Sequence, residues 1–114
     1  MVQMTEIQRV SDQIVREFQP ERIVLFGSYA DGSASADSDV DLLVVMPFQG
    51  TSARMAAAIA NRVQSEIPIE LLVRRPDQLR RRLEGNDFFL QEIVNKGMTL
   101  YAADHVGMDR QGGG

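Results

Sequence analysis

The residue types best suited to chemistry are gathered in two short segments, Phe26-Gly27-Ser28 and, after a gap of ten residues, Asp39-Val40-Asp41. Val40 opens an apolar run that reads as a strand. Strand side chains alternate, so Asp39 and Asp41 should project from one face, roughly 7 Å apart at Cα. Two carboxylates so placed repel each other unless a cation sits between them. Magnesium suits them: it prefers hard oxygen ligands, keeps waters and completes its shell with substrate phosphates. In two-metal phosphoryl and nucleotidyl transfer, ions roughly 3.5–4 Å apart clamp the attacking and leaving oxygens. A third carboxylate is then expected from a neighbouring strand, and Glu70 is the candidate. It is the sole acidic residue in the apolar run Ile67 to Val73, where an unpaired charge would be costly to bury. Gly27 would let a phosphate approach the backbone. The N–H groups after it, opening a short helix, would form an anion site to which the Ser28 hydroxyl adds a donor.

The elements that must position these groups follow from periodicity. Ile7, Val10, Ile14, Val15 and Phe18 recur at helical spacing between Thr5 and Phe18, with Thr5 and Gln8 in the form of a capping box and Pro20 as the stop. Arg22 to Phe26 is β-branched and apolar, a strand ended by Gly27. Ser28 to Ser38 leaves room for one helical turn and a loop. Val40 to Met46 is nearly continuous in apolar residues up to Pro47, the pattern of a central strand buried on both faces. Thr51 or Ser52 can cap a helix running through Ser65, with Met55, Ile59 and Val63 as its core stripe. Ile67 to Val73 is the next strand. Pro76 suits the first turn of a helix reaching about Glu84, and Gly85 breaks it. Asn86 can cap a last helix whose Phe89, Ile93 and Val94 would face the core before Gly97. Met98 to Ala102 reads as a final short strand. Alternating helices and strands point to an α/β fold with a small mixed sheet.

Several plainer or rival readings bear on these residues. Asp37, Asp39 and Asp41 match the first three ligand positions of an EF-hand calcium loop, but Leu42 stands where glycine is required and Phe48 where glutamate is required. The arginines Arg74, Arg75, Arg80, Arg81 and Arg82 could meet triphosphate or an acidic partner, though such a run is more often a solvated helix face. Phe88 and Phe89 read as core rather than as a base-stacking platform.

Composition narrows the class. The length of 114 residues suits one compact domain, here residues 1–104, with a small polar tail at 105–114. There is no cysteine, so disulfides and thiolate-bound zinc are excluded; His105, the lone histidine, leaves no room for histidine metal clusters and is assigned no role. No apolar run approaches the roughly 20 residues of a membrane span, and the first ten residues lack signal-peptide order. A cytoplasmic protein is expected. The formal net charge of −4 argues against a long nucleic acid as the main ligand, but not against a small phosphorylated one.

These residues resemble the nucleotidyltransferase superfamily that includes DNA polymerase beta and the kanamycin nucleotidyltransferases. Its signature is a hydrophobic residue, Gly, then Gly or Ser, a gap of about ten, and Asp-x-Asp. Within it, the chain is most similar to the minimal nucleotidyltransferases. The likeness covers Gly27-Ser28, Asp37 to Val44, Ile69 to Val73, and the stretch from Asn86 to Tyr101. It implies a polymerase-beta-type fold and a metal-dependent transfer of a nucleoside monophosphate, AMP from ATP, to an acceptor hydroxyl. By that resemblance Gly27 and Ser28 hold the triphosphate, Asp39 and Asp41 bind Mg2+, and Glu70 matches a third metal-binding, catalytic carboxylate that is commonly Asp in the superfamily. Minimal nucleotidyltransferases are often encoded beside a helical HEPN-domain protein in pairs resembling toxin–antitoxin modules. The resemblance thus implies a HEPN partner that the chain neutralises, in some cases by adenylylation, and assembly with that partner or with another copy. The competing expectation is a catalytically idle antitoxin that inhibits the partner by direct binding. Clustered carboxylates are costly to keep in an idle site, which favours the enzyme.

Overall fold

The computed structural model describes residues 1–103, so the expected boundary at Asp104 and the tail at 105–114 lie outside the described residues. Nine elements follow in order: α1 (Met4–Phe18), β1 (Arg22–Phe26), α2 (Ser28–Asp31), β2 (Val40–Val45), α3 (Ser52–Val63), β3 (Ile69–Arg74), α4 (Pro76–Glu84), α5 (Phe88–Lys96) and β4 (Met98–Ala102). The strands form one sheet in the order β3-β2-β1-β4. β1 pairs antiparallel with both β2 and β4, whereas β2 and β3 run parallel, as the α3 crossover between them requires. The sheet is therefore mixed, as expected.

Strand alternation sorts the core into two layers. Ile23, Leu25, Val40, Leu42, Val44 and Val73 face α1 and α3, meeting Ile7, Ile14, Ile59 and Val63. Val24, Leu43 and Val45 face the opposite way, against Leu79 of α4 and Leu90 and Ile93 of α5. β2 is buried on both faces, as its continuous apolar run predicts. An ion pair between Glu17 and Arg62 ties α1 to α3.

Local details depart from the sequence reading at the element ends. The α1 capping box is made by Gln3 and Glu6, not by Thr5 and Gln8: the Gln3 N–H donates to the Glu6 carboxylate at 2.9 Å. The helix starts earlier than its apolar stripe because Glu6, unlike Gln8, lies three residues past an extended cap residue. α3 stops at Val63, with Gln64 left-handed at φ 52°. β3 begins at Ile69, since Ser65 and Ile67 bond each other in a turn instead of joining the sheet. Asp87, rather than Asn86, caps α5, accepting from the Leu90 N–H at 3.0 Å. Thr51 is the α3 cap, accepting from the Arg54 N–H at 3.1 Å.

The largest departure concerns the paired phenylalanines. Phe88 is 71% exposed and Phe89 59% exposed, so neither enters the core. The inward stripe of α5 is Leu90 and Ile93, with Val94 partly buried against it. Phe89 does turn toward the sheet, as its spacing from Ile93 requires, but it meets Phe26, the last residue of β1. There the sheet ends, and among the described residues no further layer covers the ring.

Candidate active site

Register assembles the site. Phe26 pairs with Asp41, and Asp41 pairs with Glu70, so the three residues form one row across β1, β2 and β3. Neighbouring strands lie about 4.8 Å apart. By alternation all three share the face occupied further along by Val24, Leu43 and Leu72, the face covered by α4 and α5. The row sits where those helices no longer cover the sheet. Asp39 precedes β2 by one residue and is exposed; its alternation with Asp41 sets it toward the same side.

Asp41 is partly buried and feels its neighbours. Burial raises its pKa above the ordinary carboxylate value, followed by the Glu70 charge and the hydrogen-bond contact with Glu70, and then by the Asp39 charge. Asp41 and Glu70 are register partners on β2 and β3, and Asp39 lies just before β2. Among the described residues, no three acidic or histidine side chains converge as a ready-made ligand set. The donor chemistry nevertheless fits a hard cation: three carboxylates on one side of a sheet end, with the middle one reluctant to ionise, are a region of surplus negative charge that Mg2+ would relieve.

Gly27 links this cluster to the phosphate turn. It caps α2 with φ 76° and ψ −153°, a backbone conformation that essentially only glycine adopts. A Cβ there would collide with an Asp41 carboxylate oxygen and lie 3.3 Å from Asp41 Cγ. The glycine thus has two structural reasons beyond the phosphate approach read from sequence: the left-handed turn itself, and the packing of Asp41 beneath it. The Ala30 and Asp31 N–H groups bond back to the Gly27 carbonyl, at 3.0 and 3.1 Å. The N–H groups of Ser28 and Tyr29, which open the helix, have no carbonyl one turn earlier in α2 to receive them. Ser33 fixes the far end of this turn, its hydroxyl donating to Asp31 at 2.6 Å and its N–H at 2.9 Å, which holds the Asp31 carboxyl below its usual range.

Two cavities flank the row. One, of about 300 Å³, is lined by Asp41, Glu70, Leu71 and Leu72. The other, of about 230 Å³, lies between Gly27, Ala30 and Asp31 on one side and Glu92, Ile93 and Lys96 on the other. Phe26 and Phe89 border both, their ring centroids 6.1 Å apart and their planes at 85°. The arginine run lies to one side of this region. Arg75 pairs with Asp77 at 3.4 Å and stacks over Phe48 at 5.6 Å, and Arg81 and Arg82 pair with Asp77 and Asp87, each at 3.5 Å. Arg80, Arg81 and Arg82 form the solvated helix face expected of such a run, whereas Arg74, at the end of β3, and Arg75, just before α4, are partly buried, and burial lowers the Arg74 pKa.

Sequence residues 8–106 match the family described as "Polymerase beta, Nucleotidyltransferase". The chain belongs to this family. Divalent metals are the general requirement of such nucleotidyltransferases. No curated protein is similar enough in sequence to count as a relative. Among solved structures, the nucleotidyltransferase chain resembles a toxin–antitoxin protein determined with AMP-PNP, at 22% identity and a TM-score of 0.56, over 86% of this chain and 75% of that one. It resembles a putative nucleotidyltransferase from Sulfolobus solfataricus at 19% identity and a TM-score of 0.55, over 68% of this chain and 71% of that one. A third likeness is to the toxin–antitoxin MntA-HepT, at 18% identity and a TM-score of 0.53, over 90% of this chain and 75% of that one. At these identities the likeness is one of fold. Among the described residues, no helix is long and apolar enough to cross a membrane.

Phe89 is the residue beside the site that sequence reasoning misplaced. Its i,i+4 spacing from Ile93 is that of a core residue, so the local pattern of α5 held no signal of its exposure.

Proposed function

We propose that this chain is a magnesium-dependent nucleotidyltransferase that moves AMP from ATP to an acceptor hydroxyl on a HEPN-type helical partner, acting as the partner's antitoxin in the cytoplasm. The observation that carries this reading is the row Phe26–Asp41–Glu70 beside the Gly27-Ser28 turn, with Asp39 one step outward on the same face. The likeness to toxin–antitoxin proteins, one of them determined with AMP-PNP, supports the partner class and the adenine nucleotide.

In this reading the Ser28 N–H and hydroxyl donate to phosphate oxygens, and the glycine turn keeps that approach open. Asp39, Asp41 and Glu70 hold magnesium, which when bound supplies Lewis-acid stabilisation of charge on the α-phosphate and the departing pyrophosphate. The acceptor oxygen bonds to the α-phosphorus as the bridge to the β-phosphate breaks. Pyrophosphate leaves with the electron pair, and the hydroxyl proton passes to solvent.

Two measurements test the reading. Calorimetric binding of ATP should require magnesium; equal affinity in excess chelator would count against the site. Mass spectrometry of a co-expressed HEPN-type partner should show a nucleotide adduct with the unaltered chain and none with Asp39→Asn combined with Asp41→Asn. Should that double variant neutralise the partner as fully, with no adduct in either case, the idle antitoxin is the correct description.

A further inference from the structure

Phe89 is large, apolar and 59% exposed, yet it is not loosely held. It stands in the first turn of α5, whose N-terminus is fixed by the Asp87 cap and whose inner face is anchored by buried Leu90 and Ile93. Its ring meets Phe26 at 85°. In a perpendicular pair one ring offers an edge and the other a single face. Whichever ring offers the edge, at least one face of Phe89 is left without an aromatic partner among the described residues. The exposed apolar surface forgoes stabilisation that burial would provide, and no packing requirement of α5 explains it.

Its position suggests a use. Phe89 borders the cavity at Asp41 and Glu70 as well as the cavity beside Gly27. If the triphosphate lies on the Gly27-Ser28 turn with its α-phosphate at the carboxylates, the nucleoside is the part left beside this ring. A nucleobase is a planar π surface, and stacking on a rigid aromatic accepts any base. We propose that Phe89 is the stacking platform for the base of the bound nucleoside triphosphate, an assignment that rests on the nucleotidyltransferase reading above. Phe88, 71% exposed, borders neither cavity and has no part in it.

The test compares magnesium–ATP with magnesium–tripolyphosphate, which carries the phosphates without a nucleoside, by calorimetry on the full chain. Phe89→Ala should weaken ATP binding about 5- to 150-fold while leaving tripolyphosphate affinity within about twofold. Phe89→Trp should retain ATP binding, and Phe88→Ala should leave both ligands unaffected. Thermal melts of each variant report whether the fold survives. Unchanged ATP affinity in Phe89→Ala would overturn the assignment and free the ring for the acceptor. Equal weakening of ATP and tripolyphosphate would also overturn it, since the ring would then act by supporting the sheet end. If the unaltered chain bound tripolyphosphate but gained nothing from the nucleoside, this assignment alone would fall; if it bound neither ligand, the nucleotidyltransferase reading would fall with it.

Discussion

Asp41 carries the tension of the site. Its pKa lies above the ordinary carboxylate value of 3.8 through burial first, and then through Glu70 and Asp39. A carboxyl whose folded-state pKa is raised holds its proton more tightly in the native chain than in the unfolded one. Between the ordinary value and the raised one, stability therefore falls as pH rises, and above that window the whole penalty is present. Asp41→Asn removes it. In chelator at pH 7 the variant should melt at an equal or higher temperature than the parent, and the difference should shrink as pH drops below the ordinary carboxylate value. A lower melting temperature at pH 7 would mean that the ionised carboxylate stabilises the sheet end. Magnesium should reverse the order by stabilising the parent and not the variant. Gly27 belongs to the same arrangement: its positive φ and the Asp41 side chain beneath it mean that any larger residue there disturbs turn and carboxylate together.

The elements are held by means that are ordinary except in one place. α1 is amphipathic, with Ile7, Val10 and Ile14 buried, and is joined to α3 by Glu17–Arg62. Ser11, between them, is completely buried, and among the described residues its hydroxyl has no hydrogen-bond partner. An unsatisfied buried hydroxyl costs about 1–3 kcal/mol. Ser11→Ala removes the polar group, loses little volume and improves helix propensity, so the variant should gain about 1 kcal/mol in denaturant unfolding. A loss of stability on that substitution would show that the hydroxyl has a partner after all, such as a bound water. The same scale explains α5, where the Asp87 cap and the Leu90–Ile93 stripe hold the helix and leave Phe89 at the uncovered sheet end.

At the scale of the molecule, two helical layers enclose a four-stranded mixed sheet, and the site occupies the end where one layer stops. How far α5 sits from β1 is set at Gly97. Its φ of −73° would accept any residue, so the constraint is space alone. A Cβ would lie 2.5 Å from the Ile93 carbonyl, 2.5 Å from Val24 Cγ1 and 2.9 Å from the Leu25 carbonyl. Gly97→Ala must push α5 from the sheet, at a cost of about 1–3 kcal/mol. Denaturant unfolding should show the lower midpoint, and ATP affinity should fall as well because Phe89 rides on the same helix. A variant with the parent's midpoint would show that this junction is not tightly packed.

Local patterns determined much of this protein. The order and kind of all nine elements follow from periodicity and punctuation, including the central placing of β2, because side-chain spacing along a few residues decides which face of a helix or strand is apolar. The Gly27-Ser28 and Asp39-Val40-Asp41 spacing likewise marked the family. Tertiary structure decided what depends on residues distant in sequence. The parallel register sets Asp41 beside Glu70, the antiparallel register sets it beside Phe26, and a shift of one residue would send any of them to the other face. Phe89 has a core-like spacing, and its exposure follows from where the sheet ends, which no window of α5 contains. Caps at Gln3 and Asp87 were chosen over Thr5 and Asn86 by where docked helices begin. The types of the elements are set by neighbours in the chain; the site is set by neighbours in space.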